Sequence, residues 1–301
     1  MSEAEQIIKK QKSKGLSLSL VLLAYLVAGA AAWATIWIFE DLSLLWKAAL
    51  ADGVAMLVVF GFSVAYNNSS TYDPYWSVAP IPIVIYWGLN NPAVDPWRFG
   101  LLAGLVGLWG LRLTWNWARG WPGLHHEDWR YDNFRKQSGK AYWLVSFSGI
   151  HAFPSFMVFG GLLAAWVALT LGSRPINWLD GVAAAVTLVA IVIEAISDRQ
   201  LRRHIRSPDF KPDATFNKGL WRFSRHPNYF GEVGFWWGLG LFALAAAPEH
   251  YWALAGALSM TSMFLIVSIP MIDKRMLARR ADYAERMKTT SALIPWPPRR
   301  S

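Results

Sequence analysis

The chain contains no cysteine. Disulfide frameworks and thiolate metal sites are therefore excluded, while the redox compartment stays open. Charge is scarce too: Asp, Glu, Lys and Arg make up 16% of the residues, against about 25% in a typical soluble domain. No GxGxxG follows a strand, and there is neither a P-loop nor a GxSxG turn. Any nucleotide must then be held by helices and loops rather than by a Rossmann unit. Internal repeats and low-complexity linkers are absent.

What fills the 301 residues is apolar: 54% are hydrophobic, and 19 are tryptophan. Apolar runs of about 20 residues are long enough to cross a bilayer core. Eight runs stand out, at 16–39, 44–66, 75–89, 99–117, 150–171, 178–196, 229–247 and 252–269. Apolar residues surround each, so length and Gly/Pro punctuation carry the reading rather than an amphipathic stripe. The expected fold is an all-α integral membrane protein of about eight helices. It divides into an N-terminal tail at 1–15, N-terminal spans at 16–66 and a core at 67–301. The first run also fits a signal peptide, but it is longer than a usual h-region and is read as a helix.

The net charge is +9. In a soluble chain that would suggest nucleic acid, but the placement of the charges points to the bilayer and no nucleic-acid partner is expected. Of the 29 Lys and Arg residues, 25 fall in the tail, the even-numbered gaps and the C-terminal segment. Lys47, Arg98 and Arg174 lie on the other side, and Arg112 lies inside a span. Such asymmetry is the positive-inside pattern and predicts both termini in the cytoplasm. The long loops share that side, and function is expected there. Oligomeric state is not legible; a monomer suffices.

Five polar constellations carry candidate chemistry. Glu194–Arg206 continues a span, with Asp198, Arg202 and Arg206 one turn apart; it suits lipid headgroups or the phosphates of a nucleotide. GLWRFSRHPNYFGE, residues 219–232, puts Arg222, Arg225 and His226, with Lys218 just before, at a helix start that offers free N–H groups to an anion. Asn228 is the expected cap, and Tyr229 and Glu232 follow. DKRMLARRADY, with Asp273 and Arg275, reads as one short amphipathic helix. HHEDWRYDNFR places His125 and His126 next to Glu127 and Asp128 without metal-ligand spacing, so no metal is assigned. Lastly, Asp73 sits in a loop without Lys or Arg. An acid partly desolvated, with no cation nearby, has a raised pKa and can donate to a carbonyl. An Asp-Pro turn is the plainer alternative.

DPYWSVAP, RLTWNWARGW with HHEDWRYDNFR, LWRFSRHPNYFGE and the ending DY…ALIPW resemble the bacterial DUF1295 group of the steroid 5α-reductase family. That family stands within the superfamily of sterol reductases and isoprenylcysteine carboxyl methyltransferases. The likeness runs from about Tyr72 to Trp296. It implies a seven-helix core preceded here by one added helix, a bacterial inner membrane, and NADPH bound by the C-terminal half. The implied reaction reduces the C=C bond of an α,β-unsaturated ketone in a steroid-like or other lipid. Carried across, the likeness puts Asp198, Arg202, Arg206, Lys218, Asn228 and Glu232 near the cofactor, with Arg225, His226, Tyr229, Asp273 and Arg275 beside them. Asp73 falls at the carbonyl-polarising acid. The tyrosine paired with that acid is not matched, since Leu113 stands there; Arg112, Tyr75 and Tyr131 are the alternatives. The competing expectation is a lipid methyltransferase using S-adenosylmethionine through the same RHPNY turn.

Overall fold

A computed structural model describes residues 14–299. The basic stretch with Lys9, Lys10 and Lys12 lies outside them. Among the described residues there are helices and turns and no strand. Five helical stretches are long and apolar enough to cross a membrane, at Lys14–Ile38, Leu44–Ala65, Trp129–Leu171, Trp178–Ile205 and Pro248–Arg279. The chain is thus an all-α protein of membrane-spanning type, and the expected span at 75–89 is too short for this class.

Two compact units arise. The first takes the chain up to Ala93 together with Val106–Gly160. It contains α1 (Lys14–Ile38), α2 (Leu44–Ala65), the short α3 (Tyr75–Val78), α4 (Pro80–Leu89) and most of α5 (Pro96–Gly120). The expected run 75–89 breaks at Ala79, because Pro80 starts a new helix with its fixed φ and absent N–H. α6 (Trp129–Ser138), α7 (Tyr142–Val145) and the start of α8 (Phe153–Trp166) complete the unit. The π-helical turn Ser146–Ala152 leads into α8 just before Pro154. Widening the turn there accommodates the ring, which would otherwise clash with the carbonyl four residues back. α1 is tied in by Ser17 Oγ, which accepts from Leu124 N at 3.1 Å, and by Tyr25 Oη, which donates to Thr71 O at 3.1 Å.

The second unit, Val94–Leu105 with Gly161 onward, holds α9 (Trp178–Ile205), α10 (Pro227–Ala246), α11 (Leu254–Met263), α12 (Ile269–Arg279) and α13 (Tyr283–Thr289). α9 and α10 make its most extensive helix contact. Glycines permit it: a Cβ at Gly231 would lie 2.7 Å from Ala190 O, and one at Gly238 would lie 3.0 Å from Thr187 Cα. Side chains there would push the helices apart.

At the far end of α9 a buried ion pair closes the unit. Arg98 is 1% exposed and Asp180 is fully buried. The guanidinium meets the carboxylate through two bonds, at 2.7 and 2.9 Å, and donates to the carbonyls of Arg174 and Pro175. Asp180 also accepts from Asn177 N in a capping box. Arg98, placed by the sequence in a short loop, is a structural clasp.

Candidate functional site

In the first unit the site grows from the loop after α2. Asn67 takes a positive φ of 48°, a conformation that Asn tolerates better than most residues. Asn68 then caps the turn Ser69–Thr71 by accepting from Ser70 N at 2.9 Å. Its amide donates to the carbonyls of Leu124 and His126. Those bonds fasten the loop to the stretch His125–Arg135, in which Glu127 and Asp128 have defined tasks. Glu127 accepts from Ser69 N at 2.6 Å and pairs with Arg135 at 2.7 Å. Asp128 receives Arg130 N at 2.9 Å and starts α6.

Starting α6 there sets Tyr131 against Asp73. The phenol donates to Asp73 Oδ1 at 2.6 Å. Of the three residues left open as partner to Asp73, Tyr131 makes this bond. Tyr75 Oη goes instead to Asp52, donating to its carbonyl (2.8 Å) and Oδ1 (2.7 Å), while its ring stacks on Tyr72. Arg112 is half-buried on α5. Burial raises the Asp73 carboxyl to about 6; the Tyr131 bond and the Arg130 charge pull it back, against Asp128. The expectation of an acid without a nearby cation is corrected here: α6 brings Arg130 into range, although their sequence separation hid it. When protonated, Asp73 can donate to a nearby oxygen, and the phenol can join it only by turning away from Oδ1.

In the second unit the arginine-rich segments come together around Asp273. Arg225 Nη2 donates to Asp273 Oδ2 at 2.7 Å, and His226 Nε2 lies 2.9 Å from Oδ1. Tyr283 Oη also donates to Oδ1. Burial and the adjacent Asp273 carboxylate push the Tyr283 phenol up. Arg225 Nη1 donates to Thr290 O, and Arg225 N donates to Ser291 O. The turn Gly219–Arg222 docks on α9 through Leu220 N to Gln200 Oε1 at 2.9 Å and Trp221 Nε1 to Ser197 O at 3.0 Å. Gly219 has φ of 61°, and a Cβ there would meet the Gln200 side chain.

Two local expectations are corrected. Asn228 is not the cap of α10: Pro227 occupies the first helical position, so the cap falls at His226 and no side chain fills it. Asp273–Tyr283 is not one helix. α12 runs on from the preceding span to Arg279, Arg280 turns extended, and Tyr283 opens α13. Tyr283 thereby folds back onto Asp273, a partnership that no spacing in the sequence announced. Glu232 accepts from Trp236 Nε1 at 2.9 Å, one turn along its own helix.

The remaining cluster suits an anion. Lys218, Arg206 and Arg222 are exposed, Arg202, Arg275 and Asp198 are half-buried, and Tyr229 stacks on His226 at 5.3 Å. Asn228 Oδ1 is buried and accepts no hydrogen bond among the described residues. An uncapped helix start and exposed cations suit an anion, and the amide oxygen can accept from a hydroxyl or N–H of the same ligand.

The family described as "Protein of unknown function (DUF1295)" matches residues 59–290, and the chain belongs to that family. It is similar to an uncharacterized protein of Schizosaccharomyces pombe (strain 972 / ATCC 24843). The two are 29% identical over 231 residues, covering 69% of this chain and 67% of that protein. No solved structure matches the chain.

Proposed function

We propose that the protein is a membrane-embedded, NADPH-dependent reductase of the C=C bond of an α,β-unsaturated ketone in a lipid or steroid-like substrate. The observation that carries this reading is the Tyr131–Asp73 bond at 2.6 Å, an acid and a phenol placed to share one oxygen. As the ketone binds, the Tyr131 phenol turns from Asp73 Oδ1, and it and protonated Asp73 each donate to the ketone oxygen, where negative charge develops. Burial raises the Asp73 carboxyl to about 6, so it holds a proton more readily near neutrality than an exposed carboxyl does. Lys218, Arg202, Arg206, Arg222 and Arg275 supply phosphate contacts, and Asn228 and Tyr229 the polar and aromatic contacts of the nucleotide. Asp198 and Glu232 stand beside them. Arg225, His226 and Asp273 hold the turn in shape rather than meeting phosphate, since they are engaged with one another. The chemistry a bound nicotinamide supplies is hydride delivery to the β-carbon.

The test is NADPH titration of the full chain in lipid nanodiscs, read by nucleotide fluorescence. Binding is expected, and Arg202→Ala or Lys218→Ala weakens it about tenfold, as the loss of one charged hydrogen bond does. Heat with S-adenosylmethionine but none with NADPH would replace this reading with the methyltransferase one. In an enone-reduction assay, Asp73→Asn or Tyr131→Phe lowers kcat about 10²-fold, the effect of deleting one oxyanion donor.

A further inference from the structure

The first unit contains a cavity of about 490 Å³ that Asp73 does not line. Its room comes from small residues on facing helices: Ala28, Gly29 and Ala32 on α1, and Ala48, Ala51 and Ala55 on α2. On each helix these recur at spacings that share one face. A Cβ built on Gly29 meets no atom within 4 Å, so the helices do not close on one another there. The volume lies within the range of ligand pockets.

Polar groups are few in this wall, and one is acidic. Asp52 lies between Ala51 and Ala55 on α2, inside an apolar span, where an ionisable group is expensive unless it has a task. Tyr75 Oη orients it through Oδ1 at 2.7 Å. Tyr75 reaches Asp52 at its backbone carbonyl and Oδ1 rather than at Oδ2, and no Lys, Arg or His is among the residues lining the cavity. Anionic head groups, phospholipid phosphate and fatty-acid carboxylate among them, would face a carboxylate with no compensating cation. The wall otherwise offers hydrocarbon.

We propose that this cavity is a binding site for a neutral, largely hydrocarbon molecule carrying one hydroxyl group, which donates to Asp52. The alkyl or ring body fills the alanine-lined space. The Tyr75 phenol holds Asp52 in position and so leaves the other carboxylate oxygen for the ligand. This inference does not rest on the reductase reading, because it involves neither Asp73 nor the arginine cluster.

The experiment uses the full chain in nanodiscs, without nucleotide, and a diazirine-bearing long-chain isoprenoid alcohol as photoprobe. Crosslinks are expected on peptides within Lys14–Ile38 and Leu44–Ala65. The unlabelled alcohol should compete, and the carboxylic acid of the same chain should not. Gly29→Leu adds volume to the wall at an open position and should reduce labelling at least about tenfold, and Asp52→Asn should reduce it by about tenfold, the effect of one hydrogen bond to a charged group. Competition on the unaltered protein keeps the test valid if a variant fails to fold. Equal competition by acid and alcohol, stronger competition by an alkylamine, or labelling unchanged in folded Gly29→Leu would each overturn the proposal. Loss of NADPH binding in a parallel sample would count against the reductase reading alone.

Discussion

Deleting the Tyr131 hydroxyl tests the electrostatics of the Asp73 site without reference to any substrate. The phenol donates to the carboxylate at 2.6 Å, so it stabilises the charged form and lowers the Asp73 pKa. Burial acts the other way and prevails, leaving the group at about 6 rather than 3.8. Charging Asp73 is thus disfavoured in the folded protein. Its cost to stability is absent below about pH 4 and fully present above about pH 6. A hydrogen bond to a charged group contributes about 1.5–3 kcal/mol, and one pKa unit corresponds to about 1.4 kcal/mol. Tyr131→Phe should therefore move the Asp73 midpoint up by about one to two units, to about 7–8. The assay is infrared difference spectroscopy of the protonated-carboxyl stretch during a pH titration, with the Asp73 band assigned by its loss in Asp73→Asn. A midpoint in Tyr131→Phe equal to or below that of the unaltered protein would refute the reasoning.

Asp273→Ala removes the acceptor shared by Arg225, His226 and Tyr283. It leaves Arg225, whose side chain is 8% exposed, without its buried counter-ion, and should lower stability by about 3–5 kcal/mol. Thermal unfolding followed by tryptophan fluorescence measures this, and Asp273→Asn, which keeps an acceptor, should lose less. Gly238→Val places side-chain atoms against Thr187 of α9; overpacking of this kind costs about 1–3 kcal/mol. The same melt should show it, whereas Gly104→Val on α5, where a Cβ meets nothing within 4 Å, should melt close to the unaltered protein.

The helices were legible because bilayer-length apolar runs leave the backbone few alternatives to internal hydrogen bonding. Pro80, Pro154 and Pro227 then mark where a helix restarts, widens or begins, by removing an N–H. The polar clusters were legible as groups, since a charge beside an apolar run needs a reason. Their partners were not. Tyr131 and Asp73 are 58 residues apart, and His226 and Asp273 are 47 apart. No local spacing encodes those meetings.

Composition and the order of apolar runs by themselves determined an all-helical protein of membrane-spanning type, and the motifs determined its family. Only the tertiary structure decided which polar groups satisfy one another. It turned Arg225 and His226 inward to Asp273, gave Asp73 its tyrosine, and buried the Arg98–Asp180 clasp. It also opened a cavity beside Asp52. The physical reason is common to all four. Helix formation is set by each segment's own backbone and surroundings, whereas a buried charge is satisfied by whatever side chain the packing of other helices brings within about 3 Å.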